Sequence, residues 1–175
     1  MLTKLHQRSP ETYRTNKCFL CKKKKEDVEH LVSCETSLNL LRDIDERVVE
    51  ASLVEVKDIQ DLEEKKERIL TMLGKGSQVE ESRRRERWIR GLITKEDFEE
   101  LRPIFSSNNQ VKRFIVALWK NWMNEVYEKI WVVRCKLMQE WEKENGITSK
   151  EKRRSHTKAK KRRKRKEKKS EEEVV

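Results

Sequence analysis

Glycine and proline are scarce in this 175-residue chain, four and two respectively, too few to supply the turns of a β-sandwich or barrel. Long hydrophobic runs are missing as well. The longest unbroken apolar stretch, Phe114 to Trp119, spans six residues, whereas a membrane-spanning helix needs roughly 18. The residues after Met1 lack the apolar core of a signal peptide, so neither secretion nor membrane insertion is expected. Apolar residues are thin at 34% against 43% charged. Even so, Leu, Ile, Val and Phe make up 42 of the 175 residues, above the share at which a chain is expected to stay unfolded. The long Lys/Glu/Leu-rich stretches favour helix, and the expected fold class is mainly α.

What the chain has in excess is positive charge, +11 in all, and that charge is concentrated at one end. Residues 150–169 hold 14 Lys or Arg and two Glu, the last six residues return three negative charges, and everything before 150 carries a net charge of only +2. The basic end is the only low-complexity segment, and no internal repeat is found. Composition and motifs together divide the chain into an N-terminal arm (1–17), a zinc finger (18–36), a helical body (37–147) and a disordered basic tail (148–175).

The finger rests on Cys18, Cys21, His30 and Cys34, which read C-x2-C-x8-H-x3-C. Two cysteines two apart in a tight turn can both face one ion, the usual first half of a small zinc site. His30 and Cys34 stand at i and i+4, so a helix begun by Glu26 or Asp27 would present both on one face. Val28, Leu31 and Val32 would give that helix an apolar flank, and Phe19 and Leu20 would cover the ion's other side. So small a module lacks a core of its own, and bound Zn²⁺ would supply its folding energy. Buried reduced thiols and a Cys18–Cys21 disulfide are the alternatives, the second requiring an oxidising compartment. With four ligands present no coordination position stays open for water, which speaks against catalytic zinc. His6 is a weaker ligand candidate, twelve residues before the first cysteine.

Beyond the finger, helical stripes follow one another. Leu38, Leu41, Ile44 and Val48 form one, with Thr36 or Ser37 as N-cap. Ile59, Leu62, Ile69, Leu70 and Leu73 form a second, preceded by Asp58 and stopped by Gly74. Gly74-Lys-Gly-Ser77 lacks the spacing of a phosphate loop and reads as a turn. Arg83 to Arg87 is a charge run expected mainly on a solvated face. Thr94 to Asp97 resembles a capping box that opens a short helix ending before Pro103. The longest stripe takes in 111, 115, 118, 122, 126, 130, 133, 137 and 141, which predicts one continuous helix over 111–144. Four of the five tryptophans (119, 122, 131 and 141) lie on this stretch. They are expected to pack against the helices of 37–101 rather than stack on bases. Cys135 fits as apolar filler, and Gly146 would close the helix.

Three stretches of residues suggest a family. Cys18-x2-Cys21 with Glu26-Asp-Val-Glu-His30-Leu-Val-Ser-Cys34-Glu35 resembles the zinc-binding segment C-terminal to the polymerase in reverse transcriptases of non-LTR retrotransposons. Trp131-Val-Val-Arg-Cys135, Glu140-Trp-Glu-Lys143 and Gly146-Ile147 are similar to the C-terminal helix of such elements in certain fungi, and Trp88-Ile-Arg-Gly-Leu-Ile93 resembles their intervening segment. The resemblance implies zinc ligands at Cys18, Cys21, His30 and Cys34 and a finger that helps a polymerase hold RNA or target DNA. It also implies a terminal fragment, or a separately expressed remnant, of an element whose polymerase lies elsewhere. The Tyr-x-Asp-Asp signature of a polymerase and the carboxylate sets of RNase H and of the nucleases are missing from these residues. Two-metal chemistry needs such carboxylates, so no enzymatic activity is expected.

The expected function is therefore non-catalytic, zinc-dependent binding of RNA or DNA, largely without sequence preference. The alternatives are a structural or protein-interaction module in which zinc only stabilises the fold, and a module active only beside a polymerase chain. Lys160, Lys161, Arg162, Arg163, Lys164, Arg165 and Lys166 are the expected phosphate contacts, dense enough also to serve as a nuclear-import signal. A nuclear protein is expected, with a cytoplasmic ribonucleoprotein as the alternative.

Overall fold

The helical periodicity of the sequence is realised in a computed structural model that describes residues 2–56, 60–74 and 78–152. Eight α-helices follow in order among these residues: α1 Leu2–Arg8, α2 Val28–Ser33, α3 Glu35–Val54, α4 Leu62–Leu73, α5 Gln78–Ile89, α6 Lys95–Leu101, α7 Asn108–Val126 and α8 Val132–Glu144. A 3₁₀ turn, Arg102–Ile104, follows α6, and a π-helical stretch, Tyr127–Trp131, runs from α7 into α8. Among the described residues extended pairing is limited to one bridge, Lys17 to Lys25, and no helix is long and apolar enough to cross a membrane. Asp58, Ile59 and the turn at 75–77 lie outside the described residues.

Local signals account for many of the helix ends. Thr94 accepts from the Asp97 amide, and Asp97 accepts in return from the Thr94 amide, completing the expected capping box of α6. Ser107 caps α7 through the Gln110 amide at 3.3 Å. Gly74 ends α4. Gly146, at φ +66, ends α8 in a left-handed conformation that suits glycine. At the start of α3 the expected caps give way to a different residue: neither Thr36 nor Ser37 but Cys34 holds the N-cap position, in extended backbone. Ser37 turns its hydroxyl back to the carbonyls of Leu31 and Cys34.

The chain divides into two compact units, Leu31–Val133 and Met1–His30 with Arg134–Val175. In the first, α3 packs along α7, with α4 against α3 and with α5 and α6 against α7. Leu41, Ile44, Val48, Val49 and Leu53 of α3 are buried, as are Val111, Phe114, Leu118, Trp122 and Val126 of α7. Trp88 of α5 meets Trp122 edge to face, ring centres 5.7 Å apart, and the Trp119 indole donates to the Trp88 carbonyl at 2.9 Å. The Arg83–Arg87 run is largely tied into this unit. Arg84 donates to the Leu73 carbonyl at the end of α4 and to Glu100. Arg85 is buried and holds Asp45 at 2.6 Å, and Asp45 also accepts from the Trp122 indole at 2.9 Å. Burial raises the Asp45 pKa above the usual carboxylate range, against the lowering pull of Arg85 and Trp122.

The second unit joins residues from both ends of the sequence. Leu2, Tyr13 and Phe19 form its buried cluster, with Leu5, Leu137, Met138 and Trp141 packed on it. Tyr13 stacks on Trp141 at 6.3 Å, and Phe19 tilts against the same ring at 5.8 Å. The Tyr13 hydroxyl donates to Glu142 at 3.0 Å. Burial, then that hydrogen bond and the carboxylate's charge, push the phenol up to about 12. Glu142 also pairs with Lys152. The expected tail begins with a capped helical turn, since Thr148 Oγ1 accepts from the Glu151 amide and the Glu151 carboxylate from the Thr148 amide.

These details correct the expected stripe in two places. Trp141, expected against the helices of 37–101, packs on Tyr13 and Phe19 of the N-terminal residues. Val133 is 44% exposed, and the buried residue there is its neighbour Arg134.

Candidate metal centre

The segment that carries the four candidate ligands begins with a turn that the backbone ties together tightly. Residues 17 and 25 form the antiparallel bridge, and between them the Cys18 amide donates to the Lys24 carbonyl and the Lys22 amide to the Cys18 carbonyl, each at 2.8 Å. Lys22 takes a left-handed conformation, φ 60, at the tightest point. The Leu20 amide points at the Cys18 sulfur, 3.4 Å away, an arrangement suited to a thiolate acceptor. Closing the turn in this way brings the two cysteines of the C-x2-C pair to one side.

His30 arrives on α2, whose first turn is capped by Asp27, not Glu26: the Asp27 carboxylate accepts from the His30 amide at 2.9 Å. Cys34 does not continue that helix, as the i,i+4 argument expects, but stands in the extended residue between α2 and α3. All four sequence-predicted ligands nevertheless come together. The ligand atoms of Cys18, Cys21, His30 and Cys34 lie within 4.8 Å of one another, with Cys21 Sγ 3.2 Å from His30 Nε2. Cys18, His30 and Cys34 are buried and Cys21 is partly so, and none of the cysteines is in a disulfide.

This set of donors and its spacing can hold a metal ion. A tetrahedral Zn²⁺ sits ~2.3 Å from each sulfur, which places neighbouring sulfurs roughly 3.8 Å apart. Side-chain adjustment of about an ångström would therefore close the observed group around an ion. Three thiols and one imidazole are the donors that suit zinc. Among the described residues neither His6 nor Cys135 joins the group. His6 Nδ1 faces the Tyr13 carbonyl at 2.6 Å, and Cys135 lies beside the Arg134 guanidinium.

The support around the turn is what sequence reasoning did not find. Glu26, 1% exposed, receives Arg134 through Nη2 at 2.5 Å and through Nε at 3.2 Å to both its oxygens. The same carboxylate accepts from the Leu2 amide at 2.9 Å and the Phe19 amide at 3.4 Å. Thr3 donates its hydroxyl to the Glu26 carbonyl. Arg134 lies over the Phe19 ring at 5.5 Å, and its Nη1 reaches the Met138 sulfur. Burial opposes the guanidinium's charge, but the hydrogen bonds and attraction of Glu26 outweigh it and raise its pKa. Phe19 belongs to the buried cluster with Leu2 and Tyr13. The basic residues Lys160 to Lys166 lie outside the described residues. No family model, curated protein or solved structure matches the chain.

Proposed function

We propose that this chain binds RNA or DNA without catalysing a reaction, and that its metal centre is a structural zinc site. The observation that carries the reading is the gathering of Cys18, Cys21, His30 and Cys34 within 4.8 Å. A Cys3His set fills a tetrahedral zinc, leaving no position for a reacting water. Support for a nucleic-acid partner comes from charge: +11 over the chain, with the densest run at Lys160, Lys161, Arg162, Arg163, Lys164, Arg165 and Lys166. Such a run attracts phosphate without reading bases. The resemblance to the terminal region of a non-LTR retrotransposon reverse transcriptase favours the same reading, with a polymerase chain or another protein as a further partner and the nucleus as its place of action.

The zinc assignment predicts one ion per chain. Native mass spectrometry should find Zn²⁺ lost from Cys34→Ser and retained by Cys135→Ser. Equal loss from both, or full retention in Cys34→Ser, would remove the assignment.

The nucleic-acid assignment predicts a steep salt dependence. Each phosphate neutralised contributes roughly 0.7–0.9 to the slope of log K against log salt. Replacing Lys160 to Lys166 by glutamine in the full chain should therefore flatten the slope by several units, with little change in preference among sequences. An unchanged slope would exclude the tail as the contact. A zinc-loaded chain that binds neither RNA nor DNA would leave the metal serving only the fold, as in a protein-interaction module.

A further inference from the structure

The turn that carries Cys18 and Cys21 has a second property that coordination does not use. Residues 12–25 include six basic side chains, Arg14, Lys17, Lys22, Lys23, Lys24 and Lys25, and no acidic one. Arg14, Lys17 and Lys22 to Lys25 are all exposed. The carboxylate next in sequence, Glu26, is turned inward to Arg134, and Asp27 is engaged by the His30 amide. No ion pair involves Arg14, Lys17, Lys24 or Lys25 among the described residues.

We propose that this turn, through Lys22, Lys24 and Lys25 flanked by Arg14 and Lys17, is a second phosphate-contacting surface, which grips the nucleic-acid backbone without reading bases. The inference rests on the nucleic-acid reading above and assigns part of the binding to a surface apart from the tail. Two features favour it. The first is that the lysines stand on a backbone fixed by the bridge between 17 and 25 and by the amide bonds to Cys18 and Lys24. Less freedom is lost on binding than by an unfolded basic run. The second is that the one aromatic residue of the turn, Phe19, is 2% exposed and covered by Lys22 at 5.2 Å and by Arg134 at 5.5 Å. It offers no face on which a base could stack, which leaves phosphate as the group these side chains can hold. A repeating polyanion also suits the wider charge pattern. The turn and α8, from which the basic tail continues in sequence, belong to one compact unit, and a nucleic-acid strand supplies phosphates to both.

The test uses the full-length, zinc-loaded chain and fluorescently labelled single-stranded DNA and RNA of mixed sequence. Lys22→Gln/Lys24→Gln/Lys25→Gln should lower the slope of log K against log salt by about 2, for three phosphates at ~0.7 each, equally on DNA and RNA, with the zinc content unchanged. Lys24→Gln/Lys25→Gln, which leaves Lys22 on Phe19, guards against a misfolded turn and should lower it by about 1.4. If the parent chain binds and both variants keep its slope, the turn is not a contact and the tail alone accounts for binding. A parent chain that binds neither strand removes the nucleic-acid reading itself. Polyglutamate of matched charge binding as tightly as the oligonucleotides would overturn the proposal in favour of an acidic protein partner.

Discussion

Replacing Trp122 by alanine is expected to destabilise the Leu31–Val133 unit by about 3–5 kcal/mol, the usual cost of truncating a buried tryptophan. Three separate losses contribute. The side chain is fully buried in α7, so its removal leaves a cavity that the surrounding helices close only in part. The edge-to-face contact with Trp88 disappears. Asp45, whose pKa burial already raises, loses its indole donor and depends on Arg85 alone. Because whole domains are stable by only about 5–15 kcal/mol, the variant should melt far below the parent or fail to fold. Trp122→Phe separates the terms, keeping most of the apolar volume and the ring contact while removing the donor to a buried carboxylate, and should cost about 1–3 kcal/mol. Thermal melting followed by circular dichroism is the measurement. A parent-like melt of the alanine variant, together with weaker binding to RNA, would mean that Trp122 meets bases after all.

How far these features could be read from the sequence differs from place to place, for identifiable reasons. The gathering of Cys18, Cys21, His30 and Cys34 was legible because a tight turn and two short chain segments fix their approach locally, and their residue types admit few other uses at that spacing. Even there the local argument was too simple, since Cys34 reaches the group from the break between α2 and α3 rather than from a shared helical face. The capping box at Thr94 was legible for the same reason, all its partners lying within three residues. The long stripe shows where locality stops. Apolar residues at 118, 122, 126 and 130 are four apart, and an α-helix at ~3.6 residues per turn overshoots by about 40° with each such step. The π-helical stretch Tyr127–Trp131 is where the backbone winds differently. Beyond it the expected position, Val133, is exposed and Arg134 is buried. Three consecutive steps of four were therefore the available sign of a changed register. The pairing of Glu26 with Arg134 had no such sign, because the partners are 108 residues apart and each alone looks like one more charged residue in a chain that is 43% charged.

That pairing yields the other large expected effect. Glu26 and Arg134 are 1% and 4% exposed at their side chains, and breaking a buried ion pair from one side typically costs about 3–5 kcal/mol, because it strands the remaining charge out of water. Glu26→Gln removes the carboxylate charge that faces the buried guanidinium. Arg134→Met leaves a carboxylate whose remaining donors are the Leu2 and Phe19 amides, which soften its loss toward the lower end of that range. The double variant, Glu26→Gln with Arg134→Met, contains neither charge, and the glutamine carbonyl can still accept from an amide. Its stability should therefore lie above that of either single variant, so that the two losses are strongly non-additive. A second readout follows from the Phe19 amide, which ties the same carboxylate to the turn between Cys18 and Cys21. Outer partners that position metal ligands commonly govern affinity 10- to 100-fold, so each single variant should surrender Zn²⁺ to a chelator at roughly tenfold lower chelator concentration than the parent. Denaturant midpoints that simply add, with zinc retention unchanged in all three variants, would reduce the pair to an incidental contact. Recovery of both stability and zinc retention in the double variant would trace the single losses to the stranded charge, whereas stability recovered with zinc retention still lowered would identify the buried pair as the clamp that holds the cysteine turn against α8.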